Sequence, residues 1–151
     1  MKRLLHIYLI IAVMFSISCQ NSFNNIKDRY FTSEESKASL IYVIDTLEIM
    51  KNDIGVSMYL PDAEEIALAK GDGWRIPTFD ELDVLYKNRD KIGGFSTDSN
   101  NDETIYMSST ESNDGGTYRT IKVIDFSNGK ISSGYYTRGP VMKVRFVRPV
   151  N

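Results

Sequence analysis

Apolar positions along this chain run first as one block, then by twos, then by threes and fours, and finally by twos again. Leu4 to Phe15 is apolar except for His6. From Leu40 to Met50, Ile41, Val43, Leu47 and Ile49 fall on one face of a strand by period-two alternation, with Asp45 interrupting that face. Asn52-Asp53-Ile54-Gly55 reads as a turn and Val56 to Leu60 as a short second strand. Pro61 suits the first turn of a helix, which Ala63, Ile66, Ala67 and Ala69 continue to Lys70 before Gly71 stops it. A second helix starts after Thr78, with Leu82, Leu85 and Tyr86 on one face, and closes near Gly93-Gly94. Beyond it the helical signals end. Ser96 to Glu103 is a polar loop, Ile105 to Ser109 a strand, Ser112 to Gly116 a turn and Thr117 to Phe126 a longer strand. Asn128-Gly129 joins that strand as a hairpin to Lys130 through Arg138, Gly139-Pro140 breaks the pairing, and Met142 to Arg148 is the last strand. Two helices packed on a mainly antiparallel sheet make an α+β domain, without internal repeats.

The first apolar block belongs to a different kind of segment. Lys2-Arg3, the apolar run, the small residues Ser16-Ile17-Ser18 and then Cys19 have the layout of a secretory signal, too short to span a bilayer. The stretch before Cys19 resembles the lipobox of bacterial lipoproteins, with Ser16 where that pattern usually has Leu. The resemblance implies cleavage before Cys19, acylation of its thiol and a lipid anchor in the cell envelope. The alternative is an ordinary signal that leaves a free cysteine, a liability in an oxidising compartment. Residues 20 to 38 are polar and lack a hydrophobic period, so residues 19–38 read as a flexible tether and 39–151 as one domain, after a signal at 1–18. Gln20 to Asn25 holds no acidic export cluster, which favours the periplasmic side.

Composition then excludes whole classes of chemistry. Of 151 residues, 133 remain without the signal, enough for one core with no disulfide. His6 is the only histidine and Cys19 the only cysteine. The mature chain therefore has neither a Ser-His-Asp triad, nor a Cys-His pair, nor a zinc site built on those residues. Charge is divided unevenly. The chain has 18 basic and 20 acidic residues, so without Lys2 and Arg3 the balance is 16 against 20, a net of −4. Residues 117–151 carry Arg119, Lys122, Lys130, Arg138, Lys143, Arg145 and Arg148 against Asp125, a net of +6, which leaves −10 on residues 19–116. Either a basic face serves an anionic partner, or the two parts neutralise each other in the fold.

The most specific pattern is Gly73-Trp74-Arg75-Ile76-Pro77-Thr78 followed by Phe79-Asp80-Glu81-Leu82. Ser108-Ser109-Thr110-Glu111 and Val144-Arg145-Phe146-Val147-Arg148 follow in order. Thr78 and Glu81 form a T-x-x-E capping box, worth on the order of 1 kcal/mol. Trp74 offers a large apolar body with one donor, Pro77 forces an extended residue before it, and Arg75 is placed to pair with Glu81 or Glu111. On these three blocks, residues from about Leu47 to Val150 resemble the domain of unknown function at the C-terminus of the Legionella collagen-like adhesin. They are more distantly similar to the formylglycine-generating enzyme domain. The resemblance implies a C-type-lectin-like fold, with Trp74, Arg75, Pro77, Thr78, Glu81, Glu111, Arg145 and Arg148 as structural residues. Formylglycine-generating activity depends on cysteines, and the corresponding part of this chain has none. The adhesin's domain engages sulfated glycans, so the resemblance favours a glycan ligand.

Candidate sites are few. The Glu-Pro-Asn, Gln-Pro-Asp and Trp-Asn-Asp calcium triplets of lectins are absent from the sequence. Asp98, Asn100 and Asp102 alternate as oxygen ligands might, but Glu103 stands where an EF-hand needs glycine and Ser109 where it needs a bidentate Glu. They read as a solvated loop, with calcium the lesser alternative, and neither a metal nor a cofactor is expected. Asp80, Glu81 and Asp83 invite comparison with paired glycosidase carboxylates, yet acids in a first turn meet the helix macrodipole favourably without any catalytic task. Tyr118 and Tyr136 with Arg119, Lys122 and Arg138 combine aromatic faces and cations as a surface for a sugar or polyanion. Alternation turns either Tyr135 or Tyr136 into the core. The expectation is a non-enzymatic, lipid-anchored envelope protein of the outer membrane, on either its periplasmic or its surface side, that binds a glycan or anionic polymer and not nucleic acid. The alternatives are an assembly subunit that binds envelope proteins and, third, an enzyme of unknown chemistry.

Overall fold

The computed structural model describes residues 41–98, 103–113, 115–137 and 140–150. The signal at 1–18, Cys19, the tether, Asn100, Asp102 and Arg138 lie outside the described residues. The described part is α+β, with three helices and two antiparallel sheets of three strands each.

The single strand expected over residues 40–50 is a hairpin. β1 (Ile41–Ile44) pairs with β2 (Leu47–Met50) across a turn at Asp45-Thr46, where Asp45 takes φ 51°. Asp tolerates this left-handed region because its short side chain bonds locally. The residue that interrupted the apolar face is thus the turn itself. The turn also resets the alternation, since Tyr42 now lies opposite Ile49 and Val43 opposite Glu48. Ile49 is fully buried, whereas Val43 is 53% exposed, so Val43 does not share the face of Ile49 as expected.

Residues 56–60 do not form the second strand either. They contribute one bridge, between Met58 and Met142, before helix α1 (Leu60–Lys70) begins. Pro61 lies in the first turn of α1, and Gly71 (φ 70°) ends it, donating its N–H to the Ala67 and Leu68 carbonyls. Helix α2 (Phe79–Lys87) stops at Asn88, and a short third helix, α3 (Arg89–Ile92), carries the chain to Gly93. Where one helix was expected, a break at Asn88 makes two.

The second sheet has the order β3 (Ile105–Ser112), β4 (Thr120–Asp125), β5 (Ile131–Tyr135). The Asn128-Gly129 hairpin forms as expected. Asp125 accepts from the Ser127 N–H and hydroxyl and from the Asn128 amide, and the Gly129 N–H donates to the Asp125 carbonyl at 2.7 Å. β4 is shorter than the strand read over 117–126, because Tyr118 and Arg119 lie in the connection ahead of it.

The last segment stitches the two sheets together. Met142 pairs with Met58, Lys143 bridges Tyr106 in parallel, Phe146 accepts from the Met50 N–H, and β6 (Val147–Pro149) pairs antiparallel with β2. Regular strand is therefore confined to Val147 and Arg148 of the seven residues read as the last strand, and extends one residue beyond them to Pro149. Its chain must serve several neighbours in turn, which a regular ladder against one strand would forbid.

The core lies on both faces of the second sheet. Met107, Ile121 and Val123 join Met58, Ala63, Ile66, Trp74 and Phe146 on one side. Tyr106 and Ile124 join Leu82, Leu85, Phe126 and Ile49 on the other, beneath α2. Burial on both faces explains why Val123 and Ile124, neighbours in sequence, are each about 1% exposed.

Candidate functional site

The Trp74–Leu82 block closes on itself. Trp74 is buried, with the Lys70 ammonium and Arg148 guanidinium over its ring at 5.3 and 4.7 Å. Arg75 donates two hydrogen bonds of 2.7 Å to the two carboxylate oxygens of Glu81, and its backbone bridges Val147 in β6. The Thr78 hydroxyl accepts from the Glu81 N–H, while Glu81 accepts from the Thr78 N–H, so the capping box is complete. The bonds from Arg75 hold the Glu81 carboxyl below its ordinary pKa and, reciprocally, raise that of Arg75. Pro77 is buried and its carbonyl accepts from the N–H of Ser109, while the Phe79 N–H donates to the Thr110 hydroxyl at 2.9 Å. Two of the separated blocks thus meet in space. Of the two partners open to Arg75, the structure selects Glu81, and Glu111 pairs instead with Arg119.

The third block supplies the most buried charge. Arg145 is fully buried, donating to Asp53 at 2.8 Å, to the carbonyls of Met50, Lys51, Gly93 and Gly94, and stacking on Phe95 at 3.9 Å. Asp53 accepts a second bond, from the Tyr106 hydroxyl at 2.5 Å, and that hydroxyl accepts from the Ser96 N–H. Burial first, and then the Asp53 charge, push the Tyr106 phenol well above its ordinary pKa. Asp53 and Tyr106 do not stand out in the sequence. Asp53 sits in an ordinary turn, and Tyr106 reads as one of several strand aromatics.

Four of the seven basic residues of the C-terminal part find acids of the N-terminal part. Arg145 pairs with Asp53, Arg148 with Glu48, Arg119 with Glu111 and Lys143 with Glu103. The charge division is therefore largely settled by neutralisation within the fold. Asp83 pairs with Lys87 one helical turn on, Glu81 is held by Arg75, and Asp80 is exposed. The three acids of the helix start face separate surroundings. Asp98 is exposed, and among the described residues no group of three or more metal-ligating side chains comes together.

The residues singled out for ligand binding are divided by the sheet. Opposed cross-strand residues point to the same face, so Thr120 with Tyr135 and Lys122 with Ser133 share one side. Tyr118 joins that side through an edge-to-face contact with Tyr135, ring centroids 6.4 Å apart. Arg119 and Tyr136 belong to the other. There the Arg119 guanidinium lies 4.4 Å over the Tyr136 ring and bonds Glu111, while the Tyr136 hydroxyl donates to Glu64 of α1 at 3.2 Å. The hydrogen bonds that Arg119 donates to Glu111 raise the pKa of its guanidinium above the ordinary value. Alternation thus packs Tyr136 against the core and leaves Tyr135 40% exposed. Tyr118 is 54% exposed, and the Lys122 ammonium lies 4.8 Å over the Phe79 ring at the start of α2. Tyr135, not Tyr136, is the aromatic that shares a face with Tyr118 and Lys122. The period-two rule contained that choice, but the register that decides it was not visible.

Among the described residues no helix is long and apolar enough to cross a membrane. The chain matches no protein-family model and no curated protein sequence.

Proposed function

We propose that this protein is a non-enzymatic, lipid-anchored cell-envelope protein whose C-type-lectin-like domain binds a glycan. The observation that carries the reading is the exposed pair Tyr118 and Tyr135, set beside Lys122 on one open face of the second sheet. Tyrosine suits such a surface because its ring contributes apolar area at small entropic cost while its hydroxyl remains compatible with water. The three sequence blocks in lectin-like order support the fold. The signal-like residues 1–18 followed by Cys19 support the lipid anchor and the envelope location.

A second reading, an assembly subunit that binds envelope proteins, is favoured by β5. It ends the order β3-β4-β5, and Ile131 within it is 58% exposed. Edge strands of this kind are ready to pair with another chain. Immobilised neutral and sulfated glycans, presented to the purified full chain, separate the two. Retention on a glycan supports the proposed function. Failure on every glycan, with an envelope protein co-purifying in fixed proportion, replaces it with the assembly reading.

A further inference from the structure

Among the described residues, Lys51, Lys91 and Lys130 are exposed and pair with no acid. They are far apart in sequence, but the fold gathers them at one end of the domain. Lys51 follows β2, and its carbonyl shares the Arg145 guanidinium with the carbonyls of Gly93 and Gly94, just past α3. A Cβ on Gly94 would stand 2.4 Å from that Lys51 oxygen, so the turn after β2 lies against the end of α3, the helix that carries Lys91. On the other flank of α3, Arg89 sits 4.4 Å over the Tyr86 ring and donates to the Tyr86 carbonyl, neither of which is an acid. The Tyr86 hydroxyl reaches the β4-β5 hairpin, where a Cβ on Gly129 would stand 2.5 Å from it, and Lys130 is the next residue. Lys51, Lys91, Arg89 and Lys130 thus form a band across α3. Beside it Lys87 and Asp83 neutralise each other, and Asp53 is spent on Arg145. Asp90 of α3 and Asp125 at the hairpin are the acids left within the band, so its four cations stand against two.

The chain enters the described domain at this same end. Ile41, the first residue of β1, lies opposite Met50, the last residue of β2, and Lys51 comes next. The turn at Asp45-Thr46 is at the far end of that hairpin. Ahead of Ile41, residues 20–40 lead back to Cys19 and can extend at most about 75 Å. A lipid on Cys19 would therefore hold the domain from its basic end. With such an anchor in place, contact between the band and the bilayer becomes intramolecular, so an attraction too weak to retain a free protein still sets an orientation. Clustered lysine and arginine next to a membrane attachment point are drawn to anionic headgroups, whose phosphates accept from ammonium and guanidinium alike.

We propose that this end of the domain lies against an anionic lipid bilayer, with Lys51, Arg89, Lys91 and Lys130 at the headgroup phosphates. The inference rests on the lipid-anchor reading above and adds an orientation to it. It differs from the basic surface that the C-terminal sequence suggests, since Lys51, Arg89 and Lys91 come from the part of the chain that is acidic overall.

The test is acetylation of the lysines of the full chain on phosphatidylcholine vesicles with and without phosphatidylglycerol, read residue by residue by mass spectrometry. Lys51, Lys91 and Lys130 are expected to react about fivefold more slowly when phosphatidylglycerol is present, and the difference should vanish as salt rises from roughly 0.05 to 0.5 M. Lys122, over Phe79 at the opposite end of α2, should react at the same rate on both. Equal rates for the three lysines on the two kinds of vesicle overturn the inference. Protection by soluble heparin and by neither vesicle also overturns it, in favour of a free polyanion. Co-sedimentation reads the anchor separately, because an acylated chain sediments with neutral vesicles too. A chain left in solution by neutral vesicles refutes the anchor, and the band alone is then expected to retain it on phosphatidylglycerol vesicles at low salt, where failure overturns both readings. Lys51→Gln, Lys91→Gln and Lys130→Gln together break no ion pair among the described residues. That variant should lose the salt-sensitive part of the binding to phosphatidylglycerol vesicles, and retention of it overturns the assignment of this end.

Discussion

Arg145 heads the fully buried side chains by volume, and its surroundings show what one residue can organise. A guanidinium removed from water is tolerable only when its donors are satisfied and its charge is met. Here the carbonyls of Met50, Lys51, Gly93 and Gly94 take the donors, and Asp53 meets the charge. Those groups come from the end of β2, the turn after it and the loop after α3, so one side chain fixes three segments far apart in sequence. Gly94 permits the approach. It has φ 70°, and an added Cβ would stand 2.4 Å from the Lys51 carbonyl oxygen. Asp53→Asn leaves the buried guanidinium without a countercharge and is expected to cost about 3–5 kcal/mol, measured by urea unfolding. Tyr106→Phe removes one neutral donor to the same carboxylate and is expected to cost about 1 kcal/mol. Equal losses in the two variants would mean that the charge at Asp53 contributes nothing beyond a hydrogen bond. Arg145 was readable as part of a motif, but its burial was not. Charge in a sequence carries no mark of whether a carbonyl cage awaits it.

At the level of elements, local chemistry predicted best where one short segment makes all its own bonds. The α2 capping box is such a case, and it appears as read from Thr78 and Glu81. So are the Gly71 stop of α1 and the Asn128-Gly129 turn. The cap also carries a pH dependence. Because Arg75 and the Thr78 N–H favour the charged form of Glu81, its folded pKa lies below the unfolded value. The stability it contributes is fully present above an unfolded pKa of about 4.3 and is lost as pH falls through the lower folded value. Glu81→Gln is therefore expected to be less stable than the parent at neutral pH, with the difference shrinking as pH drops below about 4. Paired thermal melts across that range check it, and a difference that persists undiminished in acid would show that the charge of Glu81 is irrelevant. Elements whose bonds lie elsewhere were misread. Residues 40–50 look like one strand because a turn that needs only Asp45 and Thr46 leaves little trace between apolar flanks. Residues 142–148 look like a strand by alternation, although their partners are Met58, Tyr106, Met50 and β2 in succession.

For the molecule as a whole, the ends of the described chain are tied together. β6 lies against β2, while the Arg75 backbone bridges Val147 from another direction. Val147 is fully buried and Arg148 pairs with Glu48. Deleting residues 147–151 is expected to abolish the cooperative thermal transition rather than lower its midpoint by a few degrees, as read by circular dichroism. A truncated chain that still melts cooperatively near the parent temperature would show that the last strand only decorates a fold complete without it. The same long-range pairing accounts for the charge balance. Ion pairs join the basic C-terminal part to acids at positions 48, 53, 103 and 111, which spends cations that a polyanion would need.

Sequence alone determined the α+β class, the ends of α1, the start of α2, the hairpin at Asn128-Gly129 and the absence of histidine and cysteine chemistry from residues 20–151. Each of these depends on residue identity or on partners within a few positions. Only the tertiary structure decided that Glu81 and not Glu111 takes Arg75, that Arg145 is buried on Asp53, and that Tyr135 rather than Tyr136 joins Tyr118 on an open face. Those outcomes depend on strand register and on which distant segments close around a side chain. A shift of one residue in register exchanges the two faces of a strand, and local pattern leaves that register undetermined wherever both faces are partly buried.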